Sequence, residues 1–210
     1  MADPLTKLSS KYKCDKSDKN HRYTPLYNNL FEELRNEKFT FIEFGYGVGN
    51  SCKMWMEYFN KAKMICIDNG PNPTDDLIRK YIKEGRIEYL SSDQIDKEKI
   101  KKNVLNKYKE FPFIIDDASH VPEDQQFTLS FCFPYISKGG YYIIEDLKCR
   151  RNHSVRFKTQ SDKTLITLEN FNKTNIFNSK ILSVEDNKFL TENIDNIFIQ
   201  DKITFIKRKK

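Results

Sequence analysis

No apolar run in this 210-residue chain approaches the roughly 20 residues that cross a bilayer as a helix. The opening stretch, Met1 to Lys13, is polar, so no secretory leader is expected. Cysteine is sparse. Cys14, Cys52, Cys66, Cys132 and Cys149 are odd in number and match no zinc-ligand spacing. Cys66 and Cys132 lie in apolar runs, as small core residues do. Reduced thiols in a cytoplasmic protein are the expectation. No repeat and no linker composition divides the sequence, and its length suits one domain over 1–210. A hydrophobic share of 38% with 13% aromatics excludes a disordered composition. The net charge of +6 favours anionic partners only weakly, because the lysines are dispersed. An RNA-binding chain would want a basic, aromatic-lined face or an added module, and no such motif is present.

What is present is alternation. An amphipathic helix is predicted over Pro25 to Arg35, with Leu26, Leu30, Phe31 and Leu34 on one face. Strands are predicted at Phe39 to Phe44, Met64 to Ile67, Ile87 to Leu90, Phe111 to Ile115 and Tyr141 to Ile144. Helices fall between them: Ser51 to Phe59 capped by Asn50, one capped by Thr74 with Asp75 and Asp76 in its first turn, an exposed charged helix from Lys97 to Lys107, and one opened by Pro122 that runs towards Ile136. Gly139-Gly140 is expected to break the chain before the fifth strand. This order predicts an α/β fold with a parallel sheet and helices on both faces. The end differs: Asn196 to Ile199 and Ile203 to Ile206 are β-rich runs around Gln200, Asp201 and Lys202, and predict an antiparallel hairpin.

Chemistry concentrates at the strand ends, where such sheets bind ligands. FIEFGYGVGNS carries Gly45, Gly47 and Gly49 at a strand-to-helix junction, where a Cβ would obstruct a tight turn or a ligand. Asn50 stands at the third-glycine position of a dinucleotide fingerprint, and Glu43 precedes the loop. An acid there suits the positively charged methionine end of S-adenosylmethionine and would repel a pyrophosphate. Asp68 closes the next strand 19 residues after Gly49, near the spacing of an acid that grips ribose hydroxyls. SSDQ, Ser91 to Gln94, follows the third strand, and Asp93 there reads either as an acceptor for the adenine amine or as a helix cap. IIDDASH brings Asp116, Asp117 and His120 to the fourth strand end, and IIEDL brings Glu145 and Asp146 to the fifth. Neighbouring carboxylates repel unless a cation joins them, and a hard divalent ion such as Mg²⁺ would. The alternative is that some of these acids cap helices or face solvent. A nicotinamide-dependent enzyme would instead want a proton-transfer Tyr and Lys.

These segments resemble the macrolide sugar O-methyltransferases of mycinose biosynthesis and the wider group that includes cephalosporin hydroxylase-like proteins. The resemblance runs through KCDKSDKNHRYTPLYNNLF, FIEFGYGVGNS, IDN, SSDQID, IIDDASH, IIEDL and the closing hairpin, and is weak from Lys148 to Lys188. It implies a Rossmann-like methyltransferase fold with a mostly parallel, seven-stranded sheet. It assigns Asp117, Glu145 and Asp146 to the metal and His120 to the catalytic base. Glu43, Gly45, Gly47, Gly49, Asp68, Asp93, Gln94 and Asp116 fall to S-adenosylmethionine. Residues 1–36 would fold over the site, with His21, Tyr23 and Tyr27 lining it, or else form an exposed segment leading into the first helix, and 148–188 would be a substrate-binding insertion. The basic run Lys148, Arg150, Arg151, His153, Arg156 and Lys158 reads either as a solvated loop or as a seat for an anionic part of the acceptor, such as a nucleotide-linked sugar. The expected partner is a sugar-containing small molecule, with nucleic acid and membrane disfavoured and a homo-oligomer left open. Two departures matter. Ala118 stands where the family usually has Gly. The chain is also expected to lack the long N-terminal domain of the macrolide enzymes, so their substrates and oligomeric states do not carry over.

Overall fold

The computed structural model describes residues 2–149 and 152–210. Its strands are ordered β3-β2-β1-β4-β5-β7-β6 in a seven-stranded sheet. The chain divides into two compact units, Met1–Ser91 and Ser92–Lys210.

The first unit opens on α1 (Pro4–Lys11), which the polar composition of this stretch concealed. Asp3 caps it by accepting from Thr6 N at 2.9 Å, and Pro4 occupies the first turn, where an N–H would be unpaired anyway. Next come α2 (Thr24–Phe31), β1 (Thr40–Phe44), α3 (Asn50–Tyr58), β2 (Lys63–Asp68), α4 (Asp76–Lys83) and β3 (Ile87–Ser91). β1 pairs in parallel with β2, and β2 with β3. The buried face of α2 is only partly the one expected: it keeps Phe31 but not Leu30. Thr24, Tyr27, Asn28 and Phe31 are inside, and Leu30 is exposed. Aromatic packing decides this: the Tyr27 ring meets Trp55 edge-on at 5.1 Å, and Trp55 stacks on Phe59 at 5.6 Å. Two expected caps also shift by one residue. Gly49, not Asn50, caps α3 with φ +77, and Asp75, not Thr74, caps α4 by accepting from Leu77 N and Ile78 N.

The second unit contains α5 (Lys97–Ile100), α6 (Asn106–Tyr108), β4 (Phe111–Asp116), α7 (Pro122–Cys132), β5 (Ile136–Ile144), α8 (Thr164–Thr174), α9 (Val184–Asn193), β6 (Ile194–Gln200) and β7 (Ile203–Arg208). The helix expected over Lys97 to Lys107 is interrupted by a wider π turn at Lys101–Leu105, and Ile100, Val104 and Leu105 are buried, so it is not a purely solvated element. Gly139 and Gly140 do not break the chain; β5 runs through them. A Cβ at Gly140 would collide with the Pro112 carbonyl oxygen, and the β4–β5 register shifts at that point. Glycine here permits close approach of two backbones rather than a turn. β4 and β5 are parallel, while β7 pairs antiparallel with both β5 and β6. Gln200 pairs with Ile203, so the hairpin loop is Asp201-Lys202, and Asp201 takes the left-handed conformation, φ +52, that Asn or Gly usually supplies. Among the described residues no helix is long and apolar enough to cross a membrane.

Candidate cofactor and metal site

In the first unit the end of β1 turns sharply. Gly45, Gly47 and Gly49 have φ of +96, +52 and +77, a region that L side chains enter at a cost. Asp68, at the end of β2, steadies the turn: its carboxylate accepts from Tyr46 N and from Gly70 N, both at 2.6 Å. The acid expected at the ribose is therefore also a strut of the glycine loop. Glu43 is fully buried, accepting from Ser51 Oγ at 2.9 Å and Trp55 Nε1 at 3.3 Å. Lys16 Nζ lies 3.7 Å from it and is itself buried. The carboxylate expected to meet a positive ligand thus already has a cation beside it. Nothing in KCDKSDKNHRY distinguished Lys16 from its lysine neighbours. Tyr23 is buried at 1% exposure, whereas His21 is partly exposed and 5.2 Å from the Tyr23 ring.

In the second unit, loops at the ends of β4 and β5 bring Asp117, His120 and Asp146 together, with one ligand atom of each within 4.8 Å of the others. His120 Nε2 is 3.9 Å from Asp146 Oδ2. His120 Nδ1 is buried without a hydrogen-bond partner among the described residues. His120 and Asp146 both have positive φ, +57 and +56. Glu145 is buried at 1% exposure and is not one of the three grouped residues. Its backbone is fixed, N–H to Asp116 O at 3.0 Å.

Behind this group lies a buried polar network. Gln94 Nε2 donates to Asp116 and to Thr128 Oγ1, and its Oε1 accepts from Ser119 N at 2.8 Å. Tyr142 donates to Asp116 at 3.2 Å. Burial pushes the Asp116 carboxyl up to about 7, against the opposing bonds from Tyr142 and Ala118 N and with Asp117 and Asp124 adding repulsion. Gln94 and Asp116 are therefore partners of one another, and Gln94 also tethers the backbone of the DDASH loop. Asp93 is half-buried; its Oδ1 accepts from Ile95 N at 3.2 Å and from Arg156 Nη1 at 2.8 Å. Three of the four described residues of the basic run are engaged. Lys148 pairs with Asp201 at 3.0 Å, His153 with Glu123 at 2.6 Å, and Arg156 with Asp93 and, at 3.5 Å, Asp124. Arg150 and Arg151 lie outside the described residues.

The fold is the Rossmann-like methyltransferase fold. The MycE methyltransferase from the mycinamycin biosynthetic pathway, in complex with Mg and SAH, superposes with a TM-score of 0.79 over 100% of this chain and 56% of that one, at 23% identity. In sequence, the chain is 33% identical over 150 residues to the 8-demethyl-8-(2-methoxy-alpha-L-rhamnosyl)-tetracenomycin-C 3'-O-methyltransferase of Streptomyces olivaceus, covering 68% of this chain and 36% of that protein. It is 29% identical to the mycinamicin VI 2''-O-methyltransferase of Micromonospora griseorubida, with the same two coverages. The chain thus spans about a third of the length of the curated relatives it matches. No protein-family profile matches it.

Proposed function

We propose that this chain is an S-adenosylmethionine-dependent O-methyltransferase that acts, with a divalent cation, on a hydroxyl of a sugar-containing small molecule. The observation that carries the proposal is the gathering of Asp117, His120 and Asp146 at adjacent strand ends, in a chain whose curated relatives are O-methyltransferases of glycosylated natural products. Two carboxylate oxygens and an imidazole, with an unpartnered ring nitrogen, fit a small divalent cation that keeps positions for water and acceptor oxygens. In this reading Asp117 and Asp146, with Glu145 as the third acid, hold Mg²⁺. When bound, such an ion supplies Lewis acidity that lowers the pKa of an acceptor hydroxyl. His120 receives the hydroxyl proton at Nε2, and Asp146 stabilises the imidazolium so formed. Gly45, Gly47 and Gly49 let the backbone approach the methionine end of the cofactor, Glu43 and Lys16 brace that loop, and Asp68 receives the ribose hydroxyls. Asp93 and Gln94 serve the adenine, with Asp116 supporting them from behind. Much of the catalytic contribution is positioning.

The finer parts of the proposal are an acceptor carrying a phosphate, received by Arg150, Arg151 and the exposed Lys158, with His21 and Tyr23 at the acceptor side, and a cytoplasmic protein that self-associates. Five free thiols support the reducing compartment. The same geometry favours a second reading, in which a ring nitrogen of His120 is itself a ligand, because His120 is grouped with the two aspartates while Glu145 is not. Calorimetry with Mg²⁺ and Mn²⁺ separates the two: a nitrogen ligand favours the softer Mn²⁺, and His120→Ala then erases that preference. The main proposal is tested by binding S-adenosylhomocysteine and by methyl transfer to a rhamnosylated tetracenomycin-type acceptor. Transfer is expected to vanish with EDTA and return with Mg²⁺; full transfer after exhaustive chelation removes the cation from the mechanism.

A further inference from the structure

Glu123 and Asp124 open α7, and both side chains are buried. The proposed chemistry uses neither. Glu123 closes a loop. Its Oε1 accepts from Ser161 N at 2.9 Å and Ser161 Oγ at 3.3 Å, and meets His153 Nδ1 at 2.6 Å; its Oε2 accepts from Ser154 N at 2.9 Å. Both ends of segment 153–161 are thereby fixed to one carboxylate. Gln126 Nε2 adds bonds to Ser161 Oγ at 3.0 Å and Asp162 O at 2.8 Å. Burial alone would raise the Glu123 carboxyl, but the bonds from Ser154 N, His153 and Ser161 N outweigh it and hold the group below its ordinary value. Between the fixed ends, Arg156 reaches to Asp93 Oδ1 at 2.8 Å and Asp124 Oδ2 at 3.5 Å. Asp93 Oδ1 also accepts from Ile95 N. Among the described residues, both bonds to Asp93 thus fall on one oxygen.

We propose that Arg156 is a positioning residue for adenine recognition: with Ile95 N–H it holds Asp93 by Oδ1 and so presents Oδ2 to the exocyclic amine, while Glu123 delivers Arg156 by clasping loop 153–161 at both ends. The inference rests on the reading of this chain as a methyltransferase whose Asp93 faces adenine. A carboxylate oxygen accepts and does not donate. Such a group matches the adenine amine and repels the 6-oxo group of hypoxanthine, so the arrangement is a source of base specificity. The loop that follows the metal-binding strand end is in this way tied to the loop that reads the cofactor.

The test is calorimetry on the full chain with S-adenosylhomocysteine and S-inosylhomocysteine. The unmodified chain is expected to prefer the adenine compound. Arg156→Ala should narrow that preference by about fivefold, the upper end for a half-exposed pair, through weaker S-adenosylhomocysteine binding with S-inosylhomocysteine unchanged. Glu123→Ala should do the same and also speed hydrogen exchange at the Ser154 and Ser161 amides. In an Asp93→Asn background, Arg156→Ala should change nothing further. An Arg156→Ala chain that keeps the full preference, that loses both compounds equally, or that acts as strongly without Asp93 overturns the proposal, as does an unmodified chain that binds both compounds equally. If the unmodified chain binds neither compound, the methyltransferase reading itself fails.

Discussion

The loop after β1 and the loop after β5 both leave strand ends, yet they are held in shape by opposite means. The first is built from backbone: three glycines at positive φ, Gly45 N–H on Ile67 O, and Tyr46 N–H on Asp68. The second, residues 153–161, has no glycine and is shaped by side chains, with Glu123 at both ends and Arg156 across the middle. A backbone-built loop is encoded in a few adjacent residues. A clasped loop is encoded in partners thirty or more positions apart, and one substitution can release it without touching its own sequence.

The backbone-built loop is most vulnerable at Lys16. If the glycine loop needs its buried acid compensated, Lys16→Met should destabilise the chain by about 3–5 kcal/mol, because Glu43 is left buried without its cation. Chemical denaturation measures this, and a loss under about 1 kcal/mol would mean that Ser51 and Trp55 suffice. Gly47→Val probes the backbone itself. A Cβ there meets no protein atom within 4 Å, so the cost lies in φ +52 and in the ligand's approach. S-adenosylhomocysteine affinity should fall at least about tenfold, with circular dichroism unchanged; undiminished affinity would detach the loop from the cofactor.

The clasped loop should instead answer to acid. The folded Glu123 carboxyl lies below its ordinary value. Its contribution is therefore complete above about pH 4.3 and lost as pH falls through the folded value. Hydrogen exchange at Ser154 and Ser161, corrected for intrinsic rates, should rise on acidification below about pH 4, and Glu123→Gln should flatten that response. A response identical in both proteins would assign the acid sensitivity elsewhere. The smallest effect belongs to Lys148→Ala. Its pair with Asp201 is exposed, and thermal unfolding should show a change within about 0.5 kcal/mol. A larger loss would show that the exit from β5 is also held by side chains.

The same contrast explains what the sequence disclosed. Each expected strand overlaps a structural one, and only Phe39 falls outside, just before β1, because hydrophobic runs and strand-end motifs are local. The candidate acids near strand ends stood out in the sequence for the same reason, but the grouping of Asp117 and Asp146 with His120 rather than with Glu145 is set by the fold. Lys16 and Glu123 were not legible as partners, since a buried carboxylate's companions are chosen by the fold. Gly139-Gly140 misled because two glycines signal a turn as readily as a close backbone crossing. The α2 face misled because Tyr27 outweighs Leu26 and Leu30 once Trp55 is its neighbour.

His120 and Asp146 share one further property. Both occupy left-handed backbone, at φ +57 and +56, where glycine would relax the chain by about 1 kcal/mol. Selection for a durable scaffold alone would thus drift away from two of the three residues that a cation would join. Their retention would mark a conflict of interest between folding and chemistry. Asp146→Gly is the substitution in which that conflict becomes visible, with a melting temperature held or raised while the divalent cation is no longer bound.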